Sequence, residues 1–232
     1  MIIVGVVGAN GFVGNALCGA LARVESVQLK TVTRETYADA KSRTYDILIN
    51  AAMPAARFWA KNNPTADFVE TVQKTSSLVQ EWRYTKFVQI SSVSARCQLD
   101  TVYGRHKAAA EKLCGFGRNL VVRLGPMYGP TLTKGVLIDM LEGKKVFVDG
   151  ASRYCFAPLD FCANWVAANL DRSGLAEVGA RNAISLREVA AHLGKPIEFQ
   201  GAQDHQEIQN PDPTFPDVRD VLKFLDAKRI KP

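Results

Sequence analysis

No apolar run in this 232-residue sequence is long enough to span a bilayer, so a membrane protein of the helical kind is not expected. Histidine is scarce: His106, His192 and His205 stand far apart without metal-ligand spacing, which argues against metal catalysis. The five cysteines (Cys18, Cys97, Cys114, Cys155 and Cys162) are odd in number and form no CxxC pair. Reduced thiols in a cytoplasmic protein are therefore expected, with Cys97 a passive small residue. The net charge of +6 is spread along the chain without interleaved aromatics, so nucleic acid is not the expected partner; small anionic molecules would suit the charge as well. There is no repeat, linker or low-complexity tract, and a chain of this length holds one core or one core with a small lobe. The opening residues are apolar but lack a basic leader and break into glycines, so they are not read as a signal peptide.

What is present begins with Ile2 to Val7, the apolar run of a strand buried on both faces of a parallel sheet. Gly8-Ala9-Asn10-Gly11-Phe12-Val13-Gly14 follows, and then a helical pattern through Ala22. The spacing suits a dinucleotide phosphate site. Gly8 permits the turn, Gly11 lets backbone approach a pyrophosphate, and Gly14 lets helix pack on strand, with the helix N-terminus facing negative charge. A glycine-rich turn without a ligand is the plainer alternative. The next strand, 27–32, ends at Thr33-Arg34 with no acid at its tip. Arginine suits a 2′-phosphate, so NADP(H) is favoured over NAD(H); the alternative is a solvated Arg34 with Glu35 serving NAD. Only eleven residues separate Arg34 from Asp46, so one βα unit near 34–46 is shortened.

Farther along, "KFVQISS" (86–92) reads as a strand ending in hydroxyls. Tyr103 and Lys107, four apart, open an alanine-rich helix. That spacing puts both on one helical face, and a nearby ammonium lowers a phenol's pKa toward neutral proton exchange. Ser92 at the strand tip can hydrogen-bond the same substrate oxygen. The three form a device for moving hydride to or from a carbonyl carbon while the proton is handled separately. As a bare pair, tyrosine and lysine at this spacing also arise by chance.

The order of these elements resembles the extended short-chain dehydrogenase/reductase family, also called NAD-dependent epimerase/dehydratase. The resemblance is carried by "GANGFVG" (8–14), "INAA" (49–52), "NPTADFVETVQKTSSLVQ" (63–80), "YGRHKAAAEKL" (103–113), "RLGPMYGP" (123–130) and segments to 194. It implies an α/β fold: a Rossmann-type doubly wound parallel sheet with a small C-terminal substrate lobe. Residues 1–130 would form the dinucleotide-binding core and 131–232 the sheet completion and lobe. Tyr103 would be the acid/base, Lys107 its partner and a ribose ligand, and Ser92 the group polarising the substrate oxygen. Ala51 and Ala52 would floor the cofactor, while Ser94 and Arg153 would touch substrate; Arg153 also reads as a surface ion-pair residue. The implied activity is reduction or epimerisation of a sugar or sugar-nucleotide. The alternative is a dinucleotide-sensing regulator of the same fold that does no chemistry. A homodimer through helices 65–80 and 103–117 is implied too.

Departures sharpen the reading. Ten residues separate Ser92 from Tyr103, a shortened loop, and Ser92-Val93-Ser94 carries no carboxylate, which disfavours dehydration. His106 is expected to be solvated on another helix face, Arg123 structural, and Trp59, Trp82 and Trp165 packing residues. In the second half, helices are expected over 135–143, 161–170, 186–194 and 218–230, with a strand over 145–150. Asp160 is the expected cap of the second helix, and Ser185 with Glu188 a capping box opening the third.

Overall fold

The computed structural model describes residues 1–229. In chain order it runs β1 (Ile2–Val7), α1 (Phe12–Leu21), β2 (Val27–Val32), α2 (Tyr37–Lys41), β3 (Thr44–Asn50) and α3 (Arg57–Asn62). Next come α4 (Pro64–Phe68), a π-helical turn (Val69–Gln73), α5 (Lys74–Glu81), β4 (Arg83–Ser92), α6 (Ser94–Cys97), α7 (Val102–Cys114) and β5 (Leu120–Leu124). The remainder comprises β6 (Met127–Tyr128), α8 (Val136–Leu141), β7 (Arg153–Tyr154), β8 (Ala157–Pro158), α9 (Leu159–Ala168) and β9 (Gly174–Val178). It closes with β10 (Ile184–Ser185), α10 (Leu186–Leu193) and α11 (Asp220–Arg229). Two compact units result: Met1–Leu124 with Asp160–Ala176, and Gly125–Leu159 with the chain from Glu177. The chain thus returns to the first unit for most of α9 and the start of β9. Among the described residues no helix is long and apolar enough to cross a membrane.

The first unit is built on a sheet of order β2-β1-β3-β4-β5-β9, in which β1 to β5 pair in parallel. It is the α/β Rossmann-like fold expected from the sequence. The shortened unit explains the order. A complete dinucleotide-binding half would place a third strand outside β2. Here the five-residue α2 leads straight to β3, which pairs on the other side of β1 and leaves β2 at the edge. The direction of winding therefore reverses between β1 and β3, which is where open α/β sheets hold their ligands. Aromatic packing closes the short excursion. Trp82 stacks on Tyr45 at 6.0 Å and meets Tyr37 edge-on at 5.0 Å, and the Tyr45 hydroxyl donates to the Ala40 carbonyl at 2.9 Å.

β1 is apolar because both its faces are covered: Val4, Val6 and Val7 are buried. Gly5 interrupts the pattern for a packing reason, since a Cβ there would lie 2.6 Å from the Tyr45 ring. Leu48, Leu78, Phe87 and Val121 join Tyr45 and Trp82 in one cluster. Each such buried side chain contributes about 2 kcal/mol through apolar burial.

In the second unit, Ser185 and Glu188 form the expected capping box of α10, which ends at Gly194 in a left-handed conformation. The strand expected over 145–150 is reduced to one bridge, Val146 to Phe199. Asp149 turns the chain there instead, its side chain accepting from the Ala151 amide at 2.7 Å and its carbonyl from Ser152 at 3.0 Å. Helix α9 begins one residue before Asp160, whose Oδ1 accepts from the Phe161 amide at 2.9 Å. The helix expected over 218–230 forms as α11; its last expected residue, Ile230, and the end of the segment 131–232 lie outside the described residues.

Candidate active site

The turn after β1 is closed by the Gly8 amide donating to Val32 at 3.0 Å and the Gly11 amide donating to Gly8 at 2.9 Å. Gly8 has φ of +85°, and a Cβ on it would meet Ala52 Cα at 2.7 Å and the Ala51 carbonyl at 2.8 Å. A Cβ on Gly14 would lie 2.0 Å from the Gly8 carbonyl, so only glycine lets α1 pack this close to the turn. Gly11 differs: it has ordinary φ, and its only neighbour would be the Gly8 carbonyl at 3.2 Å. Asn10 and Gly11 are exposed, Phe12 and Val13 half-buried. No side chain caps α1, and its first turn holds no acid. The free amides of a helix start, a glycine cradle and open space over Gly11 fit a dinucleotide phosphate.

Ala51 and Ala52 form the floor of this turn. The Ala51 amide donates to Val7 at 2.9 Å, and the Ala52 amide donates to Asn50 Oδ1 at 3.1 Å. Asn50, fully buried, also donates to Gln89 at 3.1 Å and Thr75 at 3.2 Å, which ties the floor to β4 and α5. At the tip of β2, Arg34 is exposed. Beside it Glu35 accepts from the Thr33 hydroxyl at 2.5 Å, and this bond, with the Arg34 charge, holds the carboxyl below its usual range.

Val7, Asn50 and Gln89 stand opposite one another across β1, β3 and β4, so Ser92 leaves the sheet at the same carboxyl edge as the glycine turn. The short loop from Ser92 to Tyr103 is held by backbone. Ser94 opens α6, the Gln98 amide donates to the Ser94 carbonyl at 3.1 Å, and Thr101 caps α7 by accepting from the Gly104 amide at 3.0 Å. A Cβ on Gly104 would lie 2.0 Å from the Gln98 carbonyl and 2.7 Å from that of Ser94. Glycine after the tyrosine is thus what lets α7 sit down on so brief a loop. Ser94 is buried, and its amide donates to Ser92 Oγ at 3.2 Å.

Tyr103 and Lys107 project together from α7, and both are buried. Lys107 Nζ lies 5.1 Å from the Tyr103 ring centroid, and Tyr103 shares a hydrogen bond with half-buried Ser92. The electrostatics correct one expectation. Burial pushes the Tyr103 phenol up to about 12, against the smaller lowering effects of Ser92 and Arg57. Burial likewise brings Lys107 down to about 7, against the carboxylates of Asp67 and Glu111. Desolvation of the two covered groups dominates, so the phenol rests protonated. Behind the pair, Arg123 forks onto Glu111 at 2.7 and 2.9 Å, and Ser91 donates to Glu111 at 2.6 Å. This is the structural role expected of Arg123.

A second correction concerns His106. Instead of facing solvent, its Nδ1 lies 2.7 Å from Oδ2 of Asp67, and its ring meets Phe68 edge-on. Asp67 was not singled out in the sequence. The available signal is its place on the stripe Asp67, Thr71, Thr75 and Leu78, the buried face of that helical stretch. Arg153 belongs to the second unit, where Nε lies 3.2 Å from Glu207 and NH2 donates to the Ala183 carbonyl at 2.8 Å.

No model of a known protein family matches the chain, and neither does any curated protein. Solved structures of similar fold do. TunA, an NAD-dependent NDP-hexosamine 5,6-dehydratase of tunicamycin biosynthesis, has a TM-score of 0.78 at 14% identity, over 100% of this chain and 99% of its own. The dTDP-4-dehydrorhamnose reductase of Bacillus anthracis in complex with NADP gives 0.77 at 13%, over 98% and 99%. The UDP-glucuronic acid 4-epimerase of Bacillus cereus with UDP-glucuronic acid and NAD gives 0.69 at 18%, over 97% and 93%. At these identities the likeness is one of fold.

Proposed function

We propose that the protein is an NADP(H)-dependent oxidoreductase acting on a carbonyl or alcohol carbon of a sugar or sugar-nucleotide. The observation that carries this reading is the hydrogen-bonded Ser92 and Tyr103 with Lys107, the latter two buried, at the same sheet edge as the uncapped glycine turn. Gly8, Asn10, Gly11, Phe12, Val13, Gly14, Ala51, Ala52 and Lys107 would hold the dinucleotide, which supplies or accepts the hydride. Ser92 holds the substrate oxygen, and Tyr103 delivers its phenolic proton there as charge develops. A phenol kept protonated by burial suits proton delivery to a carbonyl, so reduction is the favoured direction. The similar structures include a sugar-nucleotide reductase and epimerase, which supports the substrate class. The absence of a carboxylate beside Ser92 disfavours the dehydratase chemistry of TunA.

Arg34 supports NADP(H), because its guanidinium is exposed at the β2 tip while Glu35 is engaged by Thr33. A fluorescence titration is expected to show tighter binding of NADPH than NADH. Arg34→Ala is expected to lose about tenfold of the NADPH affinity, the value of one charge-assisted contact, and little for NADH. Oxidation of NADPH by keto-sugar nucleotides, read at the reduced-nicotinamide absorbance, then tests the chemistry. Binding without turnover on any such substrate would favour the dinucleotide-sensing regulator, and no binding at all removes both readings.

A homodimer through helices 65–80 and 103–117 belongs to the same proposal. Phe68 and Val69 on the first, and Phe116 just beyond α7, are exposed. Light scattering is expected to give the mass of two chains, and a monomer at micromolar concentration rejects the dimer.

A further inference from the structure

Asp67 has a carboxylate that the chemistry above does not use. The residue is fully buried, in the last turn of α4 just before the π-helical turn. Its Oδ2 is held by His106, and its Oδ1 has no hydrogen-bond partner. Buried carboxylate oxygens without partners are uncommon and call for a reason. A carboxylate in this place acts through space on both Tyr103 and Lys107. The other charged groups facing the pair are Glu111 on α7 and Arg57 on α3. Glu111 is already engaged by Arg123 and Ser91, which offsets its charge. Asp67 is therefore the carboxylate least compensated by its neighbours.

We propose that Asp67 is a positioning residue for the Tyr103–Lys107 pair: anchored through Oδ2 by His106, its buried carboxylate sustains the ammonium form of Lys107 beside Tyr103. This deepens the proposed function and rests on its assignment of Tyr103 and Lys107. The physical need is clear. Burial alone drives the lysine toward its neutral form, and the Asp67 charge opposes this more than Glu111 does, leaving the group at about 7. Its negative charge raises the lysine and raises the phenol as well. Removing the charge therefore lowers both. A general loosening of the fold would expose the two groups and move them in opposite directions, the lysine up and the phenol down.

The test is a titration of Lys107 by ¹³Cε-lysine NMR and of Tyr103 by ¹³Cζ-tyrosine NMR, on the whole protein without cofactor or substrate. Asp67→Asn is expected to lower the Lys107 pKa by about 1. At pH 7 its protonated fraction then falls from about half to about a tenth, and the Tyr103 transition moves down with it. His106→Leu, which removes the anchoring group, is expected to lower Lys107 in the same direction, whereas His106→Asn keeps a donor at the Nδ1 position and retains the wild-type titration. An unmoved Lys107 in Asp67→Asn overturns the proposal, as does a rise in Lys107 with a fall in Tyr103. If Asp67→Asn does not fold, the two His106 variants decide, and identical titration in both overturns the anchoring role. The measurement needs no turnover, so its failure is distinct from failure of the proposed activity.

Discussion

A Tyr103→Phe variant is expected to bind NADPH as tightly as the wild type while its turnover falls about 10²–10⁴-fold, the usual contribution of a positioned general acid. The substitution removes one hydroxyl from a buried ring and leaves the ring's packing and its place over Lys107 intact. Ser92, the phenol's hydrogen-bond partner, is half-buried, so water can replace the lost bond and the stability cost stays near 1 kcal/mol. Fluorescence titration, thermal melting and single-turnover kinetics separate the three quantities. Retained turnover with retained binding would falsify the role given to Tyr103. A variant that loses binding as well would place the residue in the cofactor pocket rather than in proton transfer.

Gly14→Ala is expected to have the largest effect on the fold and the cofactor site together. The new Cβ would stand 2.0 Å from the Gly8 carbonyl, a backbone atom that no rotamer change can move aside. Helix α1 has to back away from the turn, at a cost of about 3 kcal/mol, the upper part of the range for overpacking. Moving α1 also displaces the amides at its start, so NADPH affinity should drop at least about tenfold. Gly11→Ala is the informative control. Its Cβ would have only one neighbour, at 3.2 Å, so the melting temperature should hold while NADPH binding weakens. Equal loss of stability in both variants would show that the turn is a packing device and not a ligand cradle.

These variants also separate what was legible in the residues. The strand–glycine turn–helix at 2–21 could be read directly, because each glycine answers a local requirement of turn, approach or packing. The Tyr103–Lys107 spacing was legible for the same reason: four residues on a helix fix a common face wherever the helix lies. The shortened unit showed in a count of residues between Arg34 and Asp46. How the chain closes it, with Tyr37, Tyr45 and Trp82 clustered over α2, depends on residues far apart in sequence.

The sequence by itself determined the fold class, the order of its elements and the residues offered at the sheet edge, since periodicity and glycine placement are local matters. Only the tertiary structure decided their protonation. Proximity on a helix predicted that Lys107 would lower the Tyr103 phenol; enclosure by the packed core drives the phenol up and the lysine down. It also turned His106 inward to Asp67, a contact across thirty-nine residues that no spacing rule reveals. Burial is a property of what surrounds a side chain, and in this protein those surroundings come from α3, α4, α7 and β4 together.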